Sequence, residues 1–129
     1  MGDEMPMMPM MPMMPMMPMD GTRWESLVLG SERPVLVQFW RVTCPICAAM
    51  ERKVEGLATE LEGKVPIYRV DCDAEADLVW AYEVLSTPTF IVFCKGEPLS
   101  RLSGNVDLAD VRRMVLDSEG ACAPVARKG

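Results

Sequence analysis

Apolar residues along this chain form short continuous runs that alternate with stretches of helical spacing. Four runs have the length of strands and lie at residues 35–40, 65–71, 89–94 and 98–102. The first run is apolar almost throughout, as in a strand buried on both faces, and the last follows a tight turn that predicts a hairpin. Apolar residues recur at helical steps in four further stretches, residues 22–29, 47–61, 76–84 and 108–115. This order indicates an α/β domain whose first two strands are parallel.

The alternation of apolar runs and helically spaced stretches does not extend to either end of the chain. Residues 1–21 form a low-complexity tail that contains 11 of the 13 methionines, with a proline at every third position from Pro6 to Pro18. This period suits an extended polyproline II spacer. A strip that docks a partner and a Cu(I) site made of thioethers are the alternatives. We expect the folded domain at residues 22–118 and a flexible C-terminal tail at residues 119–129.

Charge and amino-acid content exclude several classes of function. The net charge of -6 argues against nucleic acid as a partner. No apolar run is long enough to span a bilayer. The 129 residues include no histidine, which excludes His-dependent nucleophiles and His-ligated metal sites. A thiol reaction that works without histidine is therefore the leading chemistry.

Cys44 and Cys47 are the only closely spaced pair among the five cysteines. Cys44 falls at the start of the longest predicted helix, where unpaired N–H groups and the helix dipole favour a thiolate over a thiol. Pro45 suits the first helical position, because its missing N–H would have no partner there. Cys47 lies one turn further along. It can therefore resolve a mixed disulfide formed by Cys44 without a general base.

Two other interpretations of this pair involve no redox chemistry. The two cysteines can be purely structural, or they can supply half of a four-cysteine zinc site. The other cysteines, Cys72, Cys94 and Cys122, are isolated in the sequence. That isolation disfavours zinc, and we predict no metal site.

The residues around the pair resemble the thioredoxin family over about residues 22–118, most closely the m-type plastid thioredoxins. The resemblance is carried by the strand and helix around the pair and by three further motifs, Val70-Asp71, Ser86-Thr87-Pro88-Thr89-Phe90 and Lys95-Gly96-Glu97 with Gly104. It implies a thioredoxin-like fold with a central mixed sheet of about four strands flanked by helices. The family's first edge strand would fall at residues 14–19, where two prolines cannot donate to a ladder, so we expect it to be absent or a stub.

The resemblance also assigns roles to residues outside the cysteine pair. It implies a cis peptide bond between Thr87 and Pro88 that faces the pair and leaves the Thr87 backbone free to bind an extended substrate strand. The simpler alternative is that Pro88 only begins a strand. Trp40 is expected to pack beneath the site as core.

The chain departs from the family at two places near the pair. Thr43-Cys44-Pro45-Ile46-Cys47 replaces the usual Trp-Cys-Gly-Pro-Cys and is closer to glutaredoxins, although their glycine pair after the cis-proline is missing. Gln38 stands where the family has a buried aspartate that assists proton removal from the second cysteine, and Ile67 replaces the accompanying lysine. We therefore expect slower resolution by Cys47 near neutral pH.

The isolated cysteines have separate expectations. Cys72 falls at the active-site edge of the sheet, but Asp71 and Asp73 should raise the pKa of its thiol and lower its reactivity. Cys94 should lie about 20 Å from Pro88, at the opposite edge, and so be no resolving thiol. Cys122 falls in the C-terminal tail.

These observations lead to a thiol-disulfide oxidoreductase that uses Cys44 and Cys47 and needs no cofactor besides its redox-active disulfide. We expect protein disulfide substrates, a separate reductase, no nucleic acid, no membrane span, a monomeric state and a soluble intracellular location in a plastid or the cytoplasm. The alternatives are a thioredoxin-fold binding module with weak redox activity and a docking Met/Pro tail, or a Cu(I)-handling protein.

Overall fold

The computed structural model describes residues 16–18 and 21–122. The strands are β1 Met16–Pro18, β2 Val35–Trp40, β3 Ile67–Asp71, β4 Thr89–Cys94 and β5 Glu97–Ser103. The helices are α1 Gly21–Trp24, which continues into a π-helical turn at Glu25–Leu29, then α2 Pro45–Glu60, α3 Ala76–Ala81 and α4 Leu108–Ala121. The sheet has the order β1-β3-β2-β4-β5, so the predicted α/β class with a mixed sheet is confirmed.

Both faces of the sheet are covered, which explains the continuous apolar strands. β2 is parallel to β3, as predicted, and antiparallel to β4. Side chains alternate between the faces. Leu36, Ile67 and Phe90 belong to the core cluster that includes α2 and α4, whereas Val37 and Tyr68 belong to the cluster on the opposite face. Since the chain leaves parallel strands β2 and β3 at the same edge, the residues after them share one end of the domain.

The first edge strand is a stub of three residues. Met16 to Pro18 pair in parallel with Ile67 to Arg69 of β3, within the stretch that the sequence assigned to the tail. Proline is tolerated in an edge strand because one side of that strand has no neighbour. Three alternatives were predicted for the methionine repeat: a polyproline II spacer, a partner-docking strip and a Cu(I) site. Apart from residues 16–18, the repeat lies outside the described residues.

The C-terminal end of the domain corrects the expectation for Cys122. Helix α4 continues past residue 118 to Ala121, and Cys122 is its C-cap. Ser118 is buried, and its hydroxyl donates a hydrogen bond to the carbonyl of Val115. Because the buried face carries a serine instead of an apolar side chain, the sequence pattern hid the last turn of this helix. Residues 123–129 of the predicted tail lie outside the described residues.

Candidate active site

Cys44 and Cys47 lie at the junction between β2 and α2. Cys44 is the N-cap of α2 in an extended conformation, with φ -92° and ψ 110°. Its Sγ accepts a hydrogen bond of 3.0 Å from the backbone N–H of Cys47. The two cysteines are joined as a disulfide, with their Cα atoms 5.2 Å apart. A donor aimed at Cys44 Sγ at a helix N-terminus favours the thiolate when the disulfide is reduced.

The two sulfurs are mostly covered, whereas the residues around them are exposed. Cys44 is 8% exposed and Cys47 is 4% exposed. Thr43, Pro45 and Ile46 are all exposed. The sequence-predicted residues of this loop are therefore brought together, with Cys44 the more accessible of the two thiols.

The Thr87–Pro88 peptide bond is cis, as predicted. The carbonyl oxygen of Thr87 lies 3.6 Å from Cys44 Sγ, so this segment faces the pair. Its position is fixed on both sides, because Gly104 N–H donates to the Pro88 carbonyl at 2.9 Å and Thr89 Oγ1 donates to the Ser86 carbonyl at 2.7 Å. The structure thus places Thr87 and Pro88 beside Cys44.

Two large apolar side chains near the pair are exposed, and the sequence analysis did not single them out. Val42 is 71% exposed two residues before Cys44, and Leu85 is 93% exposed two residues before Thr87. Each lies in a loop that leads to the pair, where a substrate protein would make contact. Their signal in the sequence was an apolar residue in each loop that leads into the site.

Gln38 lies in the interior on the α2 face of the sheet. It is 1% exposed, and its Oε1 has no hydrogen-bond partner within residues 16–18 and 21–122. Ile67 is also buried, but it pairs with Leu36 in the register, whereas the partner of Gln38 is Arg69. The residue next to Gln38 on β3 is therefore a cation, although the aligned lysine is absent.

Arg69 is the site residue that the sequence analysis missed. It is the single cation of β3, lies between Tyr68 and Val70, and is only partly buried. Its guanidinium carbon lies 4.3 Å from the centroid of the Trp40 ring, within the range of a cation–π contact. Trp40 is accordingly half-buried, so the expectation that it packs as core beneath the site is wrong. One cation inside an apolar parallel strand was the available signal.

Cys72 is buried and is the free cysteine among the described residues. Burial raises the pKa of its thiol above the ordinary value; Arg41 opposes this increase, and Asp71 and Asp73 add to it. The predicted direction is confirmed, but desolvation outweighs the aspartates as its cause. Cys72 belongs to the core cluster on the face opposite α2.

Cys94 and Cys122 form a second disulfide that the sequence did not indicate. Cys94 is the last residue of β4, at the opposite end of that strand from Thr89. Its Cα lies 5.7 Å from that of Cys122. Cys94 is therefore no resolving thiol for the Cys44–Cys47 pair, as predicted. The bond ties the C-terminus of α4 to the sheet.

Two other kinds of site are absent from residues 16–18 and 21–122. No three residues of the types His, Cys, Asp and Glu are grouped closely enough there to hold a metal ion. In that same part of the chain, no helix combines the length and the hydropathy that a membrane crossing requires.

Comparison with known proteins identifies the family. The thioredoxin family model matches residues 15–117. The chain is 37% identical to thioredoxin M5, chloroplastic, of Oryza sativa subsp. japonica, over 67% of this chain and 51% of that protein. It is 33% identical to the chloroplastic M-type thioredoxin of Pisum sativum, over 75% of this chain and 56% of that one. The chain thus spans about half the length of these plant relatives.

A bacterial relative and a solved structure are covered more completely. Identity to thioredoxin of Mycolicibacterium smegmatis is 34%, over 70% of this chain and 83% of that protein. The X-ray structure of Fasciola hepatica thioredoxin superposes with a TM-score of 0.70 at 27% identity, covering 76% of this chain and 93% of that one. The predicted thioredoxin-like fold is thereby confirmed. The chain belongs to the thioredoxin family.

Proposed function

We propose that this chain is a thiol-disulfide oxidoreductase that exchanges a Cys44–Cys47 dithiol or disulfide with protein substrates. The observation that carries the proposal is the position of Cys44 Sγ. It lies at the N-terminus of α2, accepts the N–H of Cys47 and sits 3.6 Å from the Thr87 carbonyl. The thiol that begins the reaction and the backbone that receives the substrate are therefore adjacent.

The reaction consists of two thiol–disulfide exchanges. The Cys44 thiolate attacks one sulfur of a substrate disulfide, forms a mixed disulfide and releases the other substrate sulfur as a thiolate. Cys47 then loses its proton and attacks Cys44 Sγ, which forms the Cys44–Cys47 bond and releases the second substrate thiolate. Both thiolates take protons from water. Two electrons pass from the dithiol to the substrate.

Thr87 and Pro88 position the substrate strand. Pro88 has no N–H, and the segment is fixed by its hydrogen bonds to Gly104 and within residues 86–89. An extended substrate segment can pair with the Thr87 backbone beside Cys44. Val42 and Leu85, both exposed, supply apolar contact area on either side of it.

The same proposal covers what the reaction requires from other molecules. Electrons come from a separate reductase, and the disulfide is the only redox group that the exchange uses. We expect a monomer, in which one Cys44–Cys47 pair is enough to complete the reaction. The plant relatives are named chloroplastic and the Mycolicibacterium relative is not. A plastid and the cytoplasm are therefore the two compartments to compare by fractionation.

Reduced chain, freed of reductant, should reduce insulin disulfides with one insulin disulfide broken per chain. The thiols that remain are then alkylated. Mass spectrometry of the peptides should find Cys44 and Cys47 oxidised and Cys72 alkylated as a free thiol. Chain alkylated beforehand is the control and should break none. Insulin that remains intact while the pair stays reduced would disprove the proposed function.

Gln38→Asp should raise the rate of insulin reduction near neutral pH and lower stability. By the family resemblance, a carboxylate at this position can accept the proton of Cys47. Burial disfavours its ionised form, so the loss of stability should grow as the pH rises through the titration of the new carboxyl. Arg69 is the register partner of Gln38, and its charge should limit the loss to about 1–3 kcal/mol.

The control for that change is Gln38→Asn, which has the same size as the aspartate variant but no charge. The measurements are a pH–rate profile and a thermal melt of all three proteins. Equal rates in the wild type and Gln38→Asp would mean that Cys47 loses its proton by another route.

A further inference from the structure

A cavity of about 250 Å³ lies beside the buried thiol of the pair. Cys47, Glu51 and Arg69 line it, with Trp40 and Arg41 also in its wall. Ala48 and Glu51, which also line it, are exposed, so the wall that contains Cys47 adjoins solvent on the α2 side. It is therefore a route by which the Cys47 proton can leave.

Arg69 is fixed in this cavity but not fully paired. Its guanidinium lies over the Trp40 ring, and its Nη1 is 3.8 Å from Glu51 Oε2, which is an ion-pair distance and too long for a hydrogen bond. Its Nε is buried without a hydrogen-bond partner in the described part of the chain. The cation thus has a buried donor that no described group accepts.

Helix geometry turns the acidic partner of Arg69 toward Cys47. Cys47 and Glu51 are four residues apart in α2 and therefore lie on one face, one turn apart. Helical side chains lean toward the N-terminus of their helix, so that of Glu51 leans toward Cys47. The guanidinium that Glu51 contacts is accordingly held on the Cys47 side of the helix.

We propose that Arg69 is a positioning residue that stabilises the Cys47 thiolate while Cys47 resolves the mixed disulfide, and that Glu51 weakens this effect by sharing the cation. The proposal rests on the function proposed above. A cation near a thiol favours the thiolate, which is the form that attacks. In this chain the positive charge of Arg69 would take the place of the family's buried aspartate. Gln38 would then not need to accept a proton from Cys47.

In this step water accepts the proton that Cys47 loses. Cys47 Sγ–H releases its proton through the cavity to water, and Arg69 holds the resulting charge. The thiolate attacks Cys44 Sγ, the Cys44–Cys47 bond forms, and the bond from Cys44 to the substrate sulfur breaks. The substrate leaves as a thiolate and takes a proton from water.

Arg41 is the third charged residue that lines the cavity. Arg41 is paired with Asp73, and both are largely solvated. Asp71, at the end of β3, accepts the N–H of Asp73. Gln38 on β2 and Thr87 on the cis-proline segment do not line the cavity, and both are uncharged. Among the charged residues that line the cavity, Arg69 and Glu51 are therefore the pair that we expect to act on Cys47.

The test separates the attack by Cys44 from the resolution by Cys47. Reduced chain is mixed with dithiobis-nitrobenzoate, whose coloured thiolate is released once when Cys44 attacks and again when Cys47 resolves. Stopped-flow absorbance at a series of pH values gives both rates. The variants are Arg69→Met, which removes the charge but keeps an apolar stem, Arg69→Lys and Glu51→Gln. Arg113→Met, on the exposed surface of α4, is the matched control.

Arg69→Met should leave the first release unchanged and move the pH midpoint of the second release upward by about one unit, near tenfold slower at neutral pH. Arg69→Lys should restore most of that rate, and Glu51→Gln should make the second release faster than in the wild type. Arg113→Met should behave as the wild type.

Each opposite result has a distinct meaning. A second release that is unchanged in Arg69→Met overturns the inference and leaves the proposed function intact. Slower resolution in Glu51→Gln would also overturn it, because Glu51 would then be the proton acceptor. Loss of the first release in the wild type would instead contradict the proposed function itself.

Discussion

Cys44→Ser should abolish insulin reduction by this chain, with a decrease in rate of at least about a thousandfold. Serine has nearly the same size, so the fold is kept, but its hydroxyl does not form the nucleophile that thiol–disulfide exchange requires. Cys47 does not compensate, because it is one turn inside α2 and only 4% exposed. The measurement is insulin turbidity with a chemical reductant that is in excess but slow on its own.

Cys47→Ser should produce a different defect, which makes the two roles separable. Cys44 still attacks, but the mixed disulfide is no longer resolved, so it should accumulate as a covalent adduct on a non-reducing gel and disappear with excess thiol. Cys72→Ser should act as the wild type, because this buried cysteine lies on the other face of the sheet. Normal turnover by Cys47→Ser would show that the assignment of attacking and resolving thiols is wrong.

The position of this pair could be predicted because all of its determinants are local. The strand Val35–Trp40, the two cysteines and a proline at the first turn of α2 lie within a short stretch. Thr87 and Pro88 were reached through the family resemblance. Placing them against Cys44 required no knowledge of side-chain packing, because β4 is antiparallel to β2 and therefore begins beside the end of β2.

Arg69 could not be placed in the same way, because its role depends on contacts between three elements. Its strand neighbours are apolar, and only the register of β3 against β2 sets it opposite Gln38. Trp40 and Glu51 then fix the direction of the guanidinium. An alignment to the family replaces lysine with Ile67 and therefore suggests that no cation remains, which the structure corrects.

The second disulfide was hidden for a related reason. Cys94 and Cys122 are 28 residues apart in the sequence. The last turn of α4 has no apolar pattern from which it could be predicted. Their proximity depends on how α4 returns along the sheet to the end of β4. Spacing that is informative for two cysteines within one helical turn carries no information at this separation.

Cys94→Ser should lower the free energy of unfolding of the oxidised chain by about 3–4 kcal/mol, as the loop-closure relation gives for a loop of this length. The bond restricts the unfolded chain, and in the folded chain it holds Cys122, which is 2% exposed, against the sheet. For a domain of this size the melting temperature should fall by about 15 °C. Urea unfolding followed by far-UV circular dichroism measures the free energy directly.

The controls for Cys94→Ser are the Cys122→Ser variant and the double variant. If the bond is the stabilising unit, Cys94→Ser, Cys122→Ser and the double variant should lose similar amounts, since the second change breaks nothing further. Working in a background that also carries Cys44→Ser and Cys47→Ser allows a thiol reductant to be added without altering the active-site pair. Reductant should then destabilise the chain with intact Cys94 and Cys122 and leave the variants unchanged. Losses that add in the double variant would assign the stability to separate packing of the two side chains.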